Sequence, residues 1–552
     1  MPGRETEAAF ALVVDALEWE RTRLRLHGTL VANGSGGTPD AAALTGSDVY
    51  LQEARSDRRA RVGSVRVTGA RFTLDVAVFF ALDGDPLVTG TWLIRIVTPA
   101  GDVAPVRMSP DLTIPAYGYE GIRSVRGGRY WLFPVAERAG GRFALAVTYR
   151  KNRTAGGQGS LLSRLGARIR RRLRRTWELL FKSVYRICTR VVKRTGTRIL
   201  FTSDSRATIS GNLLDIRDRM RERGFEGEYT FWYLFKESTT ARRPLADKLR
   251  LPFYLAAADV ILLDDYHPTL YKVEFHPDVS IIQLWHASGA FKTVGYSRIG
   301  KPGGPNPFSH VHKNYTHAIV SSRHDVPFYA EAFGIDEKRV VPTGIPRMDV
   351  FFDAAYRERT AERMREQLPQ TRGREVILFA PTFRGKGPSD AYYDHDRLDL
   401  QALHDLATER DAIVVFKMHP FVIEPLEIPA ELTDRLVEAS AIREVNDLLF
   451  IADLVITDYS SLVFEYCTLG RPMLFFAYDL EDYISTRDFY EGYEEFVPGR
   501  IVRTFGEMLD AIRAQDFEAE RVAAFAERHL EHHDGHATDR IIDDLVLGRA
   551  GR

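Results

Sequence analysis

The sequence predicts an α/β protein in which two doubly wound α/β domains in tandem follow a small all-β domain and a basic amphipathic helix. Three observations predict this arrangement. Residues 1–155 alternate apolar and polar positions, residues 156–197 are rich in arginine, and the remainder alternates short apolar runs with amphipathic stretches of helical length. The predicted domain boundaries are therefore 1–155, 156–197, 198–350 and 351–552.

Composition supports a folded protein with several cores. The chain has 552 residues, 45% of them hydrophobic, and its 75 basic side chains balance 75 acidic ones. That length allows three or four domains, and the composition excludes a largely disordered chain. Two cysteines, Cys188 and Cys467, cannot form a disulfide framework. The first residues lack the pattern of a signal peptide and no long apolar window occurs, so we expect a protein kept inside the cell without a transmembrane helix.

The first region has the pattern of short β-strands. Its apolar and polar residues alternate, Val, Phe and Thr are frequent, and Gly and Asp mark the turns. These features predict a small antiparallel sandwich. No catalytic group is recognisable in it, so we interpret it as an accessory domain. The predicted strands are Thr22 to Val31, Val65 to Ala81, Thr91 to Thr98, Arg129 to Val135 and Arg142 to Tyr149.

The second region is a basic helix. Between Ser160 and Arg198 there are eleven Arg and two Lys but one acidic residue, Glu178. Apolar residues that include Trp177 recur at steps of three and four, which places them on one face. The helix could pack on a neighbouring domain with a solvated charged face, or lie on an anionic membrane surface with its arginines among phosphates. We favour the membrane, and nucleic acid is the least favoured partner.

From residue 198 onward, short runs that are apolar on both faces predict buried parallel strands. Ligands of such sheets bind at the carboxyl ends of the strands. The runs are Arg198 to Ser203, Tyr229 to Phe235, Asp259 to Leu263, Val279 to Trp285, Ala318 to Ser322 and Arg339 to Val341, followed by Val376 to Ala380, Ile413 to Phe416, Leu454 to Thr457 and Met473 to Phe476.

Two histidines leave predicted strands directly. His286 follows one run beside small residues, and His419 follows another together with Lys417. An imidazole at such an edge can accept a proton near neutral pH. Taken alone, a histidine placed like His286 is more often a core or capping residue, and the turn with Lys417 and His419 is equally compatible with incidental polar residues.

Hydroxyl, acidic and basic side chains follow other strands. The turn with Asp458, Ser460 and Ser461 leads into a helical stretch that contains Glu465. These residues could simply cap the helix, or its N-terminus could bind a phosphate while Glu465 reaches ribose hydroxyls. Thr382 offers a hydroxyl at the same edge.

Two arginines in loops are candidates for contacts with phosphate. Arg384 could donate two parallel hydrogen bonds to a diphosphate, and Arg347 lies in a Gly- and Pro-containing turn. The sequence lacks G-x-G-x-x-G after the first strand of either half and also lacks a Walker lysine motif. The histidines at 310–317 and 532–536 lack zinc-ligand spacing, so we expect no metal site.

The ordered set of motifs resembles the CDP-glycerol glycerophosphotransferases, the teichoic acid primases and polymerases of Gram-positive cell envelopes. The resemblance covers about residues 198–545, and five motifs in one order are more specific than any single one. They are W-H-A-S-G-A-F-K-T-V-G at 285–295, A-P-T-F-R at 380–384, K-M-H-P at 417–420, N-D-L-L-F-I-A-D-L-V-I-T-D-Y-S-S at 446–461, and R-D-F-Y at 487–490 with F-V-P-G at 496–499.

The resemblance implies two Rossmann-like domains of glycosyltransferase-B type, an acceptor side and a donor side. It also implies peripheral attachment to the cytoplasmic side of the cell membrane. The implied reaction moves glycerol phosphate from CDP-glycerol to a hydroxyl of a polyprenyl-diphosphate-linked acceptor and releases CMP. No cofactor is expected, and an oligomer is compatible with the family.

Several positions match functional residues of the family. His286 matches the proposed general base, and His419 matches a second essential histidine that is thought to act at the donor phosphates. Expected donor-binding residues are Thr382, Arg384, Lys417, Asp458, Ser460, Ser461 and Glu465, with Lys292 and Arg347 as further phosphate or acceptor contacts.

One departure leaves the polyol open. The first motif reads W-H-A-S-G-A-F-K where glycerol polymerases more often have W-H-G-T-P-L-K-K. A CDP-ribitol ribitolphosphotransferase is therefore an alternative. Further alternatives are a nucleotide-sugar glycosyltransferase or epimerase on the same fold and a membrane-bound scaffold without catalysis.

Overall fold

The computed structural model describes residues 9–32, 44, 47–56, 58–63, 65–101, 103–112, 122–124, 128–137, 141–151, 161–301, 304–385 and 390–548. The chain forms two compact units. The first comprises Met1–Trp177, Val294–Asn314 and Ala330–Asp336, and the second comprises Glu178–Thr293, Tyr315–Tyr329 and Glu337–Arg552.

The first unit contains one mixed β-sheet rather than the expected antiparallel sandwich. Its eleven strands follow the order β4-β3-β7-β11-β8-β1-β2-β6-β5, with β10 and β9 joined to β11. All pairs are antiparallel except β1 with β8. The strands are β1 Phe10–Glu20, β2 Arg23–Ala32, β3 Asp48–Glu53, β4 Arg59–Gly63, β5 Val65–Thr68, β6 Arg71–Val76, β7 Gly90–Val97, β8 Val103–Met108, β9 Ile122–Ser124, β10 Gly128–Glu137 and β11 Arg142–Lys151.

The longest of these strands, β1, was not predicted. Its register against β2 shifts between Val14 and Ala16, so the alternation that predicts strands is interrupted. Part of the core of this unit comes from a distant segment, because Tyr296 and Ile299 belong to the same buried cluster as the strands. The unit therefore extends beyond the expected boundary at residue 155.

Helix α1, Leu161–Val191, follows the sheet in the chain. Apolar side chains along it are exposed, among them Leu173 at 59% and Ile187 at 59%. Tyr185 is buried, and its hydroxyl donates to the carbonyl of Glu274 at 2.8 Å. Among the described residues, no helix has both the length and the hydropathy needed to cross a bilayer.

The second unit contains two parallel six-stranded sheets. The first has the order β13-β12-β14-β15-β16-β17. Its strands are β12 Arg198–Ser203, β13 Thr230–Phe235, β14 Val260–Leu263, β15 Ser280–Gln283, β16 His317–Ile319 and β17 Val340–Val341. Helices α2 Asn212–Glu222, α3 Leu245–Ala257 and α4 Val326–Phe333 belong to the same stretch.

The second parallel sheet has the order β20-β19-β18-β21-β22-β23. Its strands are β18 Glu375–Phe379, β19 Ala412–Phe416, β20 Leu436–Glu438, β21 Leu454–Thr457, β22 Met473–Phe476 and β23 Arg500–Val502. The helices are α5 Ala354–Gln367, α6 Leu400–Glu409, α7 Val445–Leu449, α8 Val463–Tyr466, α9 Leu480–Thr486, α10 Tyr493–Phe496, α11 Phe505–Ala514, α12 Glu520–His529 and α13 Ala537–Arg540, and the π-helical turn Ile541–Leu547 follows.

The two parallel sheets contribute to one shared hydrophobic cluster, and the second sheet packs a further cluster of its own. Buried residues of both, such as Phe201 of β12 and Phe475 of β22, belong to a single cluster. Strand order reverses between β12 and β14 in the first sheet and between β18 and β21 in the second. Open α/β sheets bind ligands beyond the carboxyl ends of their strands, at the point where the strand order reverses. The functional site is therefore expected in the loops that follow β12, β14, β18 and β21.

Candidate active site

The turn after β15 carries His286 in a fixed conformation. Asn212 donates from Nδ2 to the carbonyls of Leu284 at 3.2 Å and Trp285 at 2.9 Å. The Gln283 side chain accepts from the amide of Trp285 at 2.9 Å. Trp285 needs this support because its φ of 49° is in the left-handed region, which non-glycine residues rarely adopt. The side chains of Asn212 and Gln283 therefore hold the turn in place, together with the backbone hydrogen bond from Leu284 to Leu263 at 2.7 Å.

His286 is half-exposed and has an acidic neighbour. Its side chain is 49% exposed, and its Nδ1 lies 3.9 Å from Oδ1 of Asp265, which follows β14. Surrounding protein lowers the pKa of the imidazole, while the Asp265 carboxylate opposes this and Arg347 adds to it. A lowered pKa leaves the ring neutral at pH 7, the state that a general base requires.

A buried polar group joins this turn to α8. The Ser288 hydroxyl donates to Oε1 of Glu465 at 2.6 Å, and Arg347 donates to the same oxygen and to Ser288. Ser288 and Glu465 are 0% and 1% exposed. Nη2 of Arg347 is therefore engaged inside the protein, while its buried Nε has no hydrogen-bond partner among the described residues, so the predicted phosphate or acceptor contact stays a prediction. Oε2 of Glu465 is buried and accepts no hydrogen bond from the residues described.

Arg384 is a structural residue, which corrects its predicted role as a diphosphate ligand. Its Nε and Nη2 each donate to Asp479 at 2.7 Å, and Nη1 donates to Asp458 at 2.7 Å and to the carbonyl of Thr382 at 2.6 Å. Burial opposes the charge, but the contacts with Asp458 and Asp479 prevail and raise the pKa. The side chain is 7% exposed, and it has no free pair of parallel N–H groups to donate to a ligand.

Asp458 likewise holds the loops together. One carboxylate oxygen accepts from the amide of Thr382 at 2.8 Å and from that of Tyr459, and the other accepts from Arg384. These contacts join the loops after β18 and β21, where strand order reverses. Both carboxylate oxygens are engaged by these donors, so the structure gives no support to the predicted direct contact of Asp458 with the donor. Thr382 keeps a buried hydroxyl without a hydrogen-bond partner among the described residues.

The predicted helix N-terminus at Ser460 and Ser461 is weaker than expected. Helix α8 has four residues and continues into the 3-10 turn Cys467–Leu469. A single turn aligns few peptide dipoles, so its N-terminus provides little of the field that a longer helix offers an anion. Ser460 instead accepts from the amide of Leu462 at 3.4 Å, while both serines stay partly accessible.

His419 lies in a cationic environment beyond β19. Burial, together with the positive charges of Lys292, Lys417 and Arg487, lowers its pKa to about 4. Its Nδ1 accepts from the amide of Phe421 at 3.1 Å, so the neutral ring carries its proton on Nε2. His419 can therefore donate a hydrogen bond to an anion at neutral pH. Lys417 donates to the carbonyl of Ser440 at 3.1 Å, and burial lowers its pKa.

Lys292 reaches the same environment from the turn that carries His286. Residues 291–293 pair with residues 488–490, since Thr293 donates to Asp488 at 2.9 Å and Tyr490 donates to Phe291 at 3.0 Å. Lys292 lies over the ring of Tyr483, 5.4 Å from its centroid. Burial and the nearby Arg487 lower its pKa to about 7.

Arg487 is a candidate that residue-by-residue reasoning missed. Its guanidinium lies 4.7 Å from the ring centroid of Phe383, and Nη2 donates to the carbonyl of Gly385 at 3.1 Å. The only signal in the sequence was its place at the start of the R-D-F-Y motif. With Lys292, Lys417 and His419 it forms a set of positive and hydrogen-donating groups suited to a diphosphate.

Comparison with known proteins identifies the family. The sequence profile of the CDP-Glycerol:Poly(glycerophosphate) glycerophosphotransferase family matches residues 183–547. The chain belongs to this family. The glycerophosphotransferase match confirms the predicted resemblance and contains all predicted site residues.

Two curated relatives are ribitol-phosphate polymerases of Staphylococcus aureus. Teichoic acid ribitol-phosphate polymerase TarK is 49% identical over 66% of this chain and 71% of its own length. TarL is 48% identical over 67% of this chain and 66% of its own length. Relatives named for ribitol phosphate are 39 to 49% identical, and those named for glycerol phosphate are 26 to 29% identical. Polyol-phosphate transfer, the predicted activity, is confirmed.

A solved structure supports the fold class. The wall teichoic acid polymerase TagF aligns with a TM-score of 0.56 over 69% of this chain and 97% of that chain, at 22% sequence identity. This likeness confirms the mixed α/β class. A TagF variant was also solved after soaking with CDPG.

Proposed function

We propose that this chain transfers ribitol phosphate from CDP-ribitol to a hydroxyl of a lipid-linked teichoic-acid-type acceptor and releases CMP. The proposal rests on the set of positive and hydrogen-donating groups formed by Lys292, Lys417, His419 and Arg487, because this set suits a diphosphate donor. We call it the cationic set. Ribitol is favoured over glycerol because the relatives named for ribitol phosphate are more similar to this chain. We assign the first parallel sheet to the acceptor-binding domain and the second to the donor-binding domain of a glycosyltransferase-B-type arrangement.

His286 acts as the general base in this proposal. Its Nδ1 is directed towards Asp265, which leaves Nε2 to take the proton of the acceptor hydroxyl. The acceptor oxygen bonds to the β-phosphorus of the donor as the bond between that phosphorus and the CMP oxygen breaks. The proton ends on His286, and CMP leaves with the bonding electron pair.

The cationic set stabilises the phosphoryl oxygens while this happens. Nε2–H of His419 donates a hydrogen bond, and Lys292 and Arg487 supply positive charge. These groups are held before the donor arrives, so little reorganisation is needed in the transition state. The unpartnered Oε2 of Glu465 is a candidate acceptor for a ribose hydroxyl.

A donor assay tests the polyol. The protein is incubated with a lipid-linked acceptor and CDP-ribitol, CDP-glycerol or a nucleotide sugar, and the released nucleotide is measured. We expect CMP release to be fastest with CDP-ribitol and nearly absent in His286→Ala. Faster release from CDP-glycerol would reject the ribitol assignment, and turnover of the nucleotide sugar alone would reject the function.

Helix α1 is proposed to hold the protein peripherally on the cytoplasmic side of the membrane. Support comes from its exposed Leu173 and Trp177, at 59% and 41%, next to exposed arginines at 172, 174 and 175. An amphipathic helix of this composition can insert its apolar side chains among lipids while its arginines contact phosphates.

Vesicle sedimentation tests this attachment. Changing Arg172, Arg174 and Arg175 to Glu should reduce binding to vesicles that contain anionic lipid, by about 1 kcal/mol for each basic residue lost near the surface. The matched control changes three exposed arginines elsewhere, Arg359, Arg372 and Arg443, to Glu. Equal loss in both variants would show a net-charge effect, and no loss in either would reject the role of α1.

A further inference from the structure

Three side chains from distant parts of the sequence meet outside the candidate active site. His324 lies in the 3-10 turn Arg323–Asp325 that precedes α4, Glu491 precedes α10, and His529 is the last residue of α12. One potential ligand atom from each lies within 4.8 Å of the other two. Spacing rules could not find this group, because its members are separated in the sequence.

A buried acidic residue behind His529 gives a second, independent indication. Asp325 is 0% exposed, and neither of its carboxylate oxygens has a hydrogen-bond partner among the described residues. Its Oδ1 lies 3.7 Å from Nδ1 of His529, and that nitrogen also lacks such a partner. Metal-binding histidines often direct one ring nitrogen to a carboxylate in this way, which orients the other nitrogen towards the ion.

We propose that His324, Glu491 and His529 bind one zinc-type divalent cation, with Asp325 as the carboxylate that positions His529. Two imidazoles and one carboxylate form a ligand set that zinc accepts, and a water molecule would complete four-coordination. The site is distinct from the groups that we assign to phosphoryl transfer.

The surroundings suit a metal centre. The rings of Phe525, Phe464 and Phe496 lie 4.4, 5.5 and 5.3 Å from that of His529, which is 1% exposed. His324 and Glu491 are 27% and 16% exposed, so an ion can enter from their side. An apolar shell on one side and an open side on the other are typical of bound metals.

Glu491 is already oriented for this role. Arg528 donates to its Oε1, and Oε2 lies 3.1 Å from Nε2 of His324. Zinc would replace the hydrogen bond between His324 and Glu491. It would connect the start of α4, the segment before α10 and the end of α12.

Metal analysis of the untagged full-length protein tests the proposal. The protein is stripped with EDTA, exposed to excess Zn²⁺, dialysed, and analysed by mass spectrometry for zinc per chain. We expect about one zinc in the parent and in the control His536→Ala, whose side chain is 67% exposed, and much less in Glu491→Gln and His529→Ala. Co²⁺ in place of Zn²⁺ should give the visible absorption of a tetrahedral site in the parent and in His536→Ala, and not in Glu491→Gln or His529→Ala.

Two further measurements keep the result interpretable. Asp325→Asn should weaken zinc affinity by about 10- to 100-fold if Asp325 positions His529. Circular dichroism shows whether each variant folds. If His529→Ala does not fold, Glu491→Gln still tests the site, because Glu491 is partly exposed. Absence of zinc from the parent, or equal zinc in parent and Glu491→Gln, would overturn the proposal and leave a hydrogen-bonded group without metal.

Discussion

The surroundings of His286 and His419 differ although the two histidines occupy similar places in their sheets. Each lies in the loop after a parallel strand, and the pKa of each is lowered. The charged group nearest His286 is the carboxylate of Asp265, whereas His419 is surrounded by Lys292, Lys417 and Arg487. The difference shows that neighbouring charge assigns chemistry: an acidic partner supports a proton acceptor, and cationic partners support an anion-binding donor.

Removal of His286 should give the largest change in rate. His286→Ala deletes the proton acceptor, so kcat should fall by about 10²- to 10⁴-fold while the donor KM changes little. Steady-state CMP release measures both constants. A raised donor KM with unchanged kcat would instead place His286 in donor binding and remove the contrast with His419.

Removal of Arg384 should chiefly affect stability. Arg384→Met leaves Asp458 and Asp479 without their buried partner, so the free energy of unfolding should fall by about 3–5 kcal/mol. Urea denaturation measures this change. Arg487→Met is the matched control, since the guanidinium of Arg487 donates to the carbonyl of Gly385 rather than to a buried carboxylate. Similar losses in both variants would contradict the division between structural and ligand-binding arginines.

Arg487→Met should weaken donor binding. Loss of a charge-assisted hydrogen bond costs about 1.5–3 kcal/mol, which is a roughly 10- to 100-fold increase in donor Kd. Titration calorimetry with the CDP-polyol measures it, and Arg443→Met, at a side chain 90% exposed, is the control. Unchanged affinity would exclude Arg487 from the donor site.

Donor binding should be coupled to proton uptake, which is the smallest expected effect. The pKa of Lys292 is lowered to about 7, so the free amine is mostly neutral at pH 8. A bound diphosphate favours the charged form and raises this pKa, so about one proton should be taken up at pH 8. Uptake should decline below pH 7, where the free amine is already charged.

Calorimetry in buffers of different ionisation enthalpy measures the number of protons. Lys292→Met should lose the uptake at pH 8, whereas the pKa of His419, at about 4, predicts uptake by that ring only under acidic conditions. Undiminished uptake at pH 8 in Lys292→Met would assign the proton to another group.

The α/β class and the edges that carry polar residues could be predicted from local pattern. Runs such as Ile413 to Phe416 are apolar on both faces, which only a buried parallel strand requires. Strand β1 was missed because its bulge interrupts the alternation of side chains. The roles of His286 and His419 stay predictions that the proposed assays address.

Local sequence pattern could not predict whether an individual charged side chain is structural or binds a ligand. Arg384 and Arg487 both look like loop arginines beside a strand or a motif. The first is enclosed by Asp458 and Asp479, and the second lies over Phe383. Sequence cannot distinguish them, because the partners of a side chain come from segments about 75 to 100 residues away.

The amino-acid sequence by itself determined the class of fold, the family and the strand edges that bear histidine, lysine and hydroxyl groups, since these follow from periodicity and from motif order. Only the tertiary structure decided which charged side chains are paired inside the protein and which remain able to bind a ligand. It also brought His324, Glu491 and His529 together. The physical reason is that charge pairing and burial act through space at a few ångströms, whereas sequence patterns record only the neighbours along the chain.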